Sequence, residues 1–310
     1  LATENIFIVG CNRTGTSLLR QILNKSPRVC IAPETHFLRR FSQVGLERKI
    51  EKFGTLVNDN NVYQLVAYMY TGRKQVGSSY WGWLQKHVER NYFQEKILAS
   101  VRSEQAIFQA LMEIYAEKQL DKGQEVILGE KTPTHYYYVP TLLEWFPKAK
   151  VIQTFRDPRA IVVSTIKKIQ KKKEGGLRAK VANMPDWIID RLVGPVEVLH
   201  ISQAWLDAAR LHAYYEKQYP QQYRLVKFED IINDPENQVR QICNFLEIDF
   251  HKDMLIKVDN LNSSYYTQRH STDGFDPMTI ERWKNHINPI AKVWFSTLGR
   301  EHLKKFGYIP

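Results

Sequence analysis

Asn5-Ile6-Phe7-Ile8-Val9 runs without a break into Gly10-Cys11-Asn12-Arg13-Thr14-Gly15-Thr16-Ser17, and then into Leu18, Leu19, Ile22 and Leu23. The reading of this stretch decides the fold. Its first part is short, largely apolar and rich in β-branched and aromatic residues, as a buried strand is. Its last part carries aliphatic residues at helical spacing. Strand, glycine-bracketed loop and helix are the layout of a phosphate-binding loop, in which backbone N–H groups and the positive end of a helix dipole face one anion. The spacing is that of the nucleotide-triphosphate loop, G-x-x-x-x-G-K-[ST], with Thr16 where the phosphate-gripping lysine belongs. Arg13 brings a different cation. The loop is read as a site for a 5′-phosphate-type group, built from Arg13, Thr14, Gly15, Thr16 and Ser17, and as poorly equipped for triphosphate hydrolysis.

Further strands are expected at Val29–Ala32, Glu125–Leu128, Val151–Phe155 and Arg224–Phe228. Helical patterns separate them: Thr16–Lys25, Tyr136–Trp145, a helix opening at Pro158, Pro195–Tyr219, and one opening at Asp234-Pro235. A tail from Met278 to Phe306 also reads as helix. Alternating strands and helices argue for a parallel sheet with helices on both faces. The expected fold is therefore α/β, a P-loop-type parallel sheet of about five strands. No internal repeat or linker stands out, and residues 1–310 are read as a single domain. Residues 37–122 form a helical, aromatic-rich insertion (Tyr63, Tyr68, Tyr70, Tyr80, Trp81, Trp83, Tyr92, Phe93), read either as core or as the wall of an acceptor pocket. Residues 167–195 form a basic, lid-like segment.

In an open α/β sheet, ligands bind outside the carboxyl ends of the strands. Glu34 and His36 follow the second strand, Lys131 the third, and Arg156 the fourth. Asp157 suits the N-cap of the helix that Pro158 opens. Ser164 and Lys168 lie four apart on that helix and share a face. With Arg156 they make a second anion site. A nucleotide with phosphates at both its 5′ and 3′ positions would satisfy both sites. Its common activated form is 3′-phosphoadenosine 5′-phosphosulfate, a sulfuryl donor.

The 310 residues carry a net charge of +11, 43% apolar residues and three dispersed cysteines. The charge predicts anionic ligands. Cys11, Cys30 and Cys243 form neither a metal pattern nor a disulfide framework, which favours a reducing, cytoplasmic setting. No apolar run is long enough to span a bilayer. The chain begins at Leu1, so removal of a Golgi-type N-terminal anchor stays open.

The sequence resembles the sulfotransferase superfamily that uses 3′-phosphoadenosine 5′-phosphosulfate, nearest the branch with tyrosylprotein sulfotransferases and bacterial enzymes. The resemblance lies in Phe7–Leu19, Glu34-Thr35, Lys131-Thr132-Pro133, Arg156–Ala160 with Ser164, Val226–Asp230 to Asp234-Pro235, Phe245-Leu246 and Arg282-Trp283. It implies that Arg13 to Ser17 hold the 5′-phosphosulfate. Arg156 and Ser164, helped by Lys168, would hold the 3′-phosphate, with Arg282 and Trp283 closing over the nucleotide. It implies Glu34 as catalytic base, Lys131 as the transition-state lysine, and Ser264 as a late serine near the leaving oxygen. Asn12 and Thr14 depart from the usual loop, where proline and serine stand, and Arg269-His270 replaces a lysine-proline near Ser264. His36 and His135 are rival bases. The expected partner is a hydroxyl-bearing acceptor (carbohydrate, peptide tyrosine, lipid or small molecule); no metal is needed and no nucleic acid is expected. The alternatives are a kinase-like phosphotransferase, against which the loop lacking its lysine counts, and a non-catalytic binder of anionic polymers.

Overall fold

The computed structural model describes residues 3–38, 53–71, 82–119, 126–171, 194–256 and 275–310. Five strands form one sheet: β1 (Asn5–Gly10), β2 (Val29–Ala32), β3 (Ile127–Lys131), β4 (Lys150–Phe155) and β5 (Tyr223–Lys227). Their order is β2-β3-β1-β4-β5 and every pair is parallel. All carboxyl ends therefore lie along one edge, with β1 between β3 and β4.

Side chains alternate across a strand, so a sheet covered on both faces buries both sets. Phe7 and Val9 of β1 enter one apolar cluster with Val151 and Phe155 of β4. Ile6 and Ile8 enter the other with Ile152 and Val226. The first cluster is covered by helices that include α2 (Asp59–Thr71), α3 (Gly82–His87), α4 (Arg90–Leu98), α5 (Glu104–Gln119), α6 (Val139–Trp145), α7 (Pro158–Lys171) and α8 (Gly194–Gln218). The second is covered by α1 (Thr16–Leu23), α9 (Phe228–Asn233) and α10 (Pro235–Leu246). The helix-on-both-faces parallel sheet expected from the pattern is what forms.

Three boundaries differ from the sequence reading. The third strand continues through Gly129, Glu130 and Lys131, because β1 and β2 both keep pairing with it: Ile8 lies opposite Lys131 and Ala32 opposite Glu130. Tyr136–Trp145 is not one helix; a 3₁₀ turn over Pro133–Tyr138 precedes α6. The tail is broken into α11 (Met278–Glu281), a 3₁₀ turn (Arg282–Asn285), α12 (Pro289–Ser296) and α13 (Arg300–Lys305). Asn288 caps α12, its Oδ1 accepting from the Ala291 N–H at 2.7 Å, and Pro289 sits at the first helical position, where it suits a start rather than a continuation.

In the 37–122 region, Phe93 is fully buried, while Tyr68 and Tyr70 pack against the first core cluster. Tyr63 and Tyr92 are exposed. Tyr80, Trp81 and most of the basic segment 167–195 fall outside the described residues, as does Ser264. Among the described residues no helix is long and apolar enough to cross a membrane.

Candidate active site

The loop after β1 turns through two glycines. Gly10 has φ +147, and a Cβ there would stand 2.4 Å from the Thr154 carbonyl oxygen of β4. Gly15 has φ +96, and a Cβ there would stand 2.6 Å from the Phe228 ring. Both positions need a residue without a side chain. Gly15 is also the N-cap of α1, and no side chain caps that helix start. In a phosphate-binding loop the first-turn amides of such a helix are the anion's donors. Arg13 takes a positive φ of 73, a conformation sparsely used by non-glycine residues.

Thr14 is fully buried, and its hydroxyl turns inward, donating to the Cys11 carbonyl at 2.7 Å and meeting the Thr154 hydroxyl at 2.7 Å. Contact between Thr14 and an anion would therefore run through its backbone. Thr16, where a triphosphate loop carries lysine, is also buried.

The two anion sites read from the sequence meet in space. Arg13 Nε donates to Ser164 Oγ at 2.9 Å, and Arg156 Nη1 donates to the Arg13 carbonyl at 3.3 Å. Arg156 also stands 4.1 Å over the Phe228 ring, donates to the Thr279 carbonyl at 3.1 Å, and its own carbonyl accepts from the Trp205 indole at 3.0 Å. Asp157 caps α7 by accepting from the Arg159 N–H at 2.9 Å. Lys168 lies exposed on that helix, four residues beyond Ser164. Trp283 is not poised as a free cover. It is buried on Ala160 and Val163 of α7, with the Arg159 guanidinium 4.4 Å from its ring centre. Arg282 pairs with Asp276.

Across β1, the ends of β2 and β3 bring acid and base together. Lys131 Nζ reaches Glu34 Oε1 at 2.5 Å and Ser17 Oγ at 3.3 Å, so one ammonium joins the base side to the loop. His36 Nε2 lies 2.9 Å from Glu34 Oε2. Burial raises the Glu34 pKa, but the hydrogen bond from His36 and the charge of Lys131 outweigh it and hold the carboxyl at about 2. Glu34 is therefore ionised at neutral pH.

His135 sits elsewhere. It is fully buried, its Nδ1 is 3.1 Å from Glu130 Oε2, and its Nε2 accepts from the Leu38 N–H at 3.2 Å. Fully buried, with Nε2 taken by a backbone amide, His135 is less accessible to an acceptor than His36. Of the rival bases, only His36 stands beside Glu34. Glu130, Thr154 and Phe228 were not singled out in the sequence as site residues. Glu130 carried a signal, as a charged residue beside the motif lysine; Thr154 and Phe228 look like ordinary strand-end residues. Among the described residues no cluster of three or more His, Cys, Asp or Glu is arranged to hold a metal.

Parallel strand ends that gather a helix start without a side-chain cap, two arginines and a lysine–carboxylate pair define a class: an α/β protein with a cationic cluster at the carboxyl edge of its sheet, where ligands of open α/β sheets bind. Within that class the chain belongs to the Sulfotransferase family, whose model matches residues 5–252. It is 27% identical over 263 residues to omega-hydroxy-beta-dihydromenaquinone-9 sulfotransferase Stf3 of Mycobacterium tuberculosis, covering 79% of this chain and 63% of that relative. It is 25% identical over 210 residues to 3-alpha-hydroxysteroid sulfotransferase of Cavia porcellus, covering 61% and 69%. A putative protein-tyrosine sulfotransferase of Caenorhabditis elegans is 24% identical over 204 residues, covering 65% and 70%. The fold is shared with the sulfotransferase domain of the Synechococcus PCC 7002 olefin synthase, with a TM-score of 0.51 and 17% identity over 94% of this chain and 95% of that one.

Proposed function

We propose that this chain transfers a sulfuryl group from 3′-phosphoadenosine 5′-phosphosulfate to an acceptor hydroxyl by in-line displacement. The observation that carries the reading is the Lys131 ammonium bridging Ser17 of the phosphate loop and the Glu34 carboxylate. A group held by the loop would lie beside a residue pair able to take a proton and neutralise charge. In the reaction, the acceptor O–H bond breaks as a new S–O bond forms, and the proton goes to Glu34. The S–O bond to the 5′-phosphate breaks, and its electron pair leaves with adenosine 3′,5′-bisphosphate. Glu34 supplies general-base help, worth roughly 10²–10⁴-fold. Lys131 and the α1 amides stabilise charge on the leaving oxygen, each donor worth on the order of 10²–10³.

Arg13 and the residues to Ser17 would hold the 5′ end. Arg156 and Ser164, with Lys168 one turn on, would hold the 3′-phosphate. Trp283 would brace α7 from behind, and Arg282 would order the neighbouring turn through Asp276. Ser264 is proposed near the leaving oxygen on resemblance alone. The tail supports one domain over residues 1–310: Phe306 packs on Phe155 at 4.6 Å between ring centres, and the Tyr308 carbonyl accepts from Arg159 at 2.9 Å. The relatives' names specify an omega-hydroxylated dihydromenaquinone, a hydroxysteroid and a protein tyrosine. What they share is a hydroxyl, and that is the acceptor chemistry proposed here.

The test is calorimetric titration with adenosine 3′,5′-bisphosphate, with and without Mg²⁺, against ATP–Mg²⁺. Metal-independent binding of the bisphosphate, weakened in Arg156→Ala, is expected. Binding of ATP–Mg²⁺ alone would move the protein to the phosphotransferases. Salt-sensitive polymer binding that survives Arg13→Ala, without nucleotide binding, would make it a binder.

A further inference from the structure

The segment that carries Glu34 and His36 is held in an unusual way. The four consecutive backbone N–H groups of residues 35–38 all donate to side chains. The Thr35 N–H is shared between Glu130 Oε1 at 2.9 Å and Thr132 Oγ1 at 3.1 Å. The His36 N–H donates to Thr132 Oγ1 at 3.2 Å, and the Leu38 N–H to His135 Nε2 at 3.2 Å. The Phe37 N–H donates to Thr35 Oγ1 at 3.2 Å, and that hydroxyl donates to Glu130 Oε1 at 3.0 Å. Thr132 also donates to Glu130. Three of the four amides are thus taken by residues of one short stretch, 130–135.

This arrangement is costly without a purpose. Glu130 is 1% exposed, and withdrawing a carboxylate from water costs several kcal/mol even after relaxation. Burial pushes its pKa up, but His135, the Thr132 hydroxyl and the Thr35 N–H outweigh it and keep it below the usual range. His36 takes φ +48, a left-handed conformation that persists in a non-glycine residue only where its surroundings over-determine it. The four amide bonds supply that determination. Side chains alternate along a strand, so Glu130 and Thr132 point away from the face on which Lys131 points. Lys131 meets Glu34 on one side while its two sequence neighbours clamp the Glu34-bearing segment on the other.

We propose that Glu130, Thr132 and His135 are positioning residues that register the Glu34–His36 segment against Lys131. They touch no reacting atom. Their work is to hold the Glu34 carboxylate against the ammonium that also contacts the phosphate loop. The inference rests on the sulfotransfer reading for its catalytic meaning, but its structural content is measurable without turnover.

The experiment compares Thr132→Val, which keeps the shape and removes the hydroxyl, with Thr132→Ser, which keeps the hydroxyl. Two readouts are taken: the titration of the Glu34 carboxyl by NMR, and kcat with donor affinity in sulfuryl-transfer assays. In Thr132→Val the Glu34 titration is expected to move up toward the ordinary carboxylate range. There kcat is expected to fall by on the order of 10–10²-fold, the scale of an ångström-level misplacement, with bisphosphate affinity unchanged. Thr132→Ser restores both. Should Thr132→Val not fold, Thr35→Ala is a milder cut in the same clamp and is read the same way. A lower Tm with the Glu34 titration and kcat both unmoved would overturn the inference, because a merely structural role predicts that result. If no sulfuryl transfer is found while the Glu34 titration still shifts, the clamp stands and the proposed reaction falls.

Discussion

In the proposed reaction the donor edge, at the ends of β1 and β4, and the base edge, at the ends of β2 and β3, solve different problems. At the donor edge Arg13, Ser164 and Arg156 interlock, and Arg156 is braced by Phe228, Trp205 and Thr279. Several cationic and backbone groups face one region, so the loss of one weakens a sum. The base edge instead converges on a single carboxylate, Glu34, gripped by Lys131 and His36. Among the described residues Lys131 pairs with no second carboxylate. Binding is thus expected to degrade gradually under mutation and chemistry abruptly, with Lys131–Ser17 as the joint between the two.

The sharpest way to break that contrast is Glu34→Gln. It should lower kcat by roughly 10²–10⁴-fold while calorimetry shows unchanged affinity for adenosine 3′,5′-bisphosphate. Lys131→Met should cost on the order of 10²–10³ in kcat, and some affinity too, because its ammonium also reaches the loop. If Glu34→Gln kept near-normal turnover while His36→Ala abolished it, the base would move two residues along the same loop.

Arg156→Ala tests the opposite edge. A charge-assisted hydrogen bond contributes about 1.5–3 kcal/mol, so bisphosphate affinity should fall on the order of 10–10²-fold. Steady-state kcat at saturating donor should be largely kept, since no reacting proton passes through Arg156. A variant that lost kcat and kept affinity would erase the proposed division of labour.

A smaller effect separates loop architecture from loop chemistry. Thr14→Val removes the hydroxyl between the Cys11 carbonyl and Thr154 and with it two buried hydrogen bonds, at a cost of about 1–3 kcal/mol in denaturant unfolding. Thr14→Ser should recover most of it. Because that hydroxyl faces inward, nucleotide affinity of the folded Thr14→Val protein should change less than its stability.

The difference between the edges also explains what was legible in the sequence. Strand, loop and helix from Asn5 to Leu23 are local, so the phosphate loop could be read from residue types and spacing. Lys131 and Arg156 were legible as strand-end cations. The contacts that define their environments join distant residues: Arg13 meets Ser164, and Thr35 meets Glu130, across 151 and 95 positions respectively. Spacing carries no signal for such pairs, which is why the clamp went unseen and His135 stood as a rival base. The end of β3 was placed too early for a related reason. Gly129-Glu130-Lys131 has poor strand propensity, and pairing with β1 and β2 overrides it. The interruptions of the tail do have a sequence signal, since Pro289 and Gly299 both lie inside the helical stretch from Met278 to Phe306.

The pH dependence of stability probes the base edge without a substrate. Glu34 titrates near 4.5 when unperturbed and at about 2 in the fold. A carboxyl with a depressed folded pKa is bound by more protons in the unfolded chain, so it stabilises the fold above its unfolded pKa. That contribution is lost as pH falls from about 4.5 through about 2. Glu130 is depressed as well and adds to the same acid-side loss, whereas burial raises Glu229, which acts in the opposite sense. Both survive in Glu34→Gln, so the difference between variant and wild type isolates Glu34. The wild type's advantage in Tm should be constant near neutrality and should shrink on acidification across that window. The Glu34 side chain is 37% exposed, so water screens its ion pairs and the shift should be the smallest effect described. A difference that stayed flat from neutrality to pH 2 would mean that Lys131 and His36 do not hold the carboxylate in solution, and the contrast between a redundant edge and a singular one would lose its physical basis.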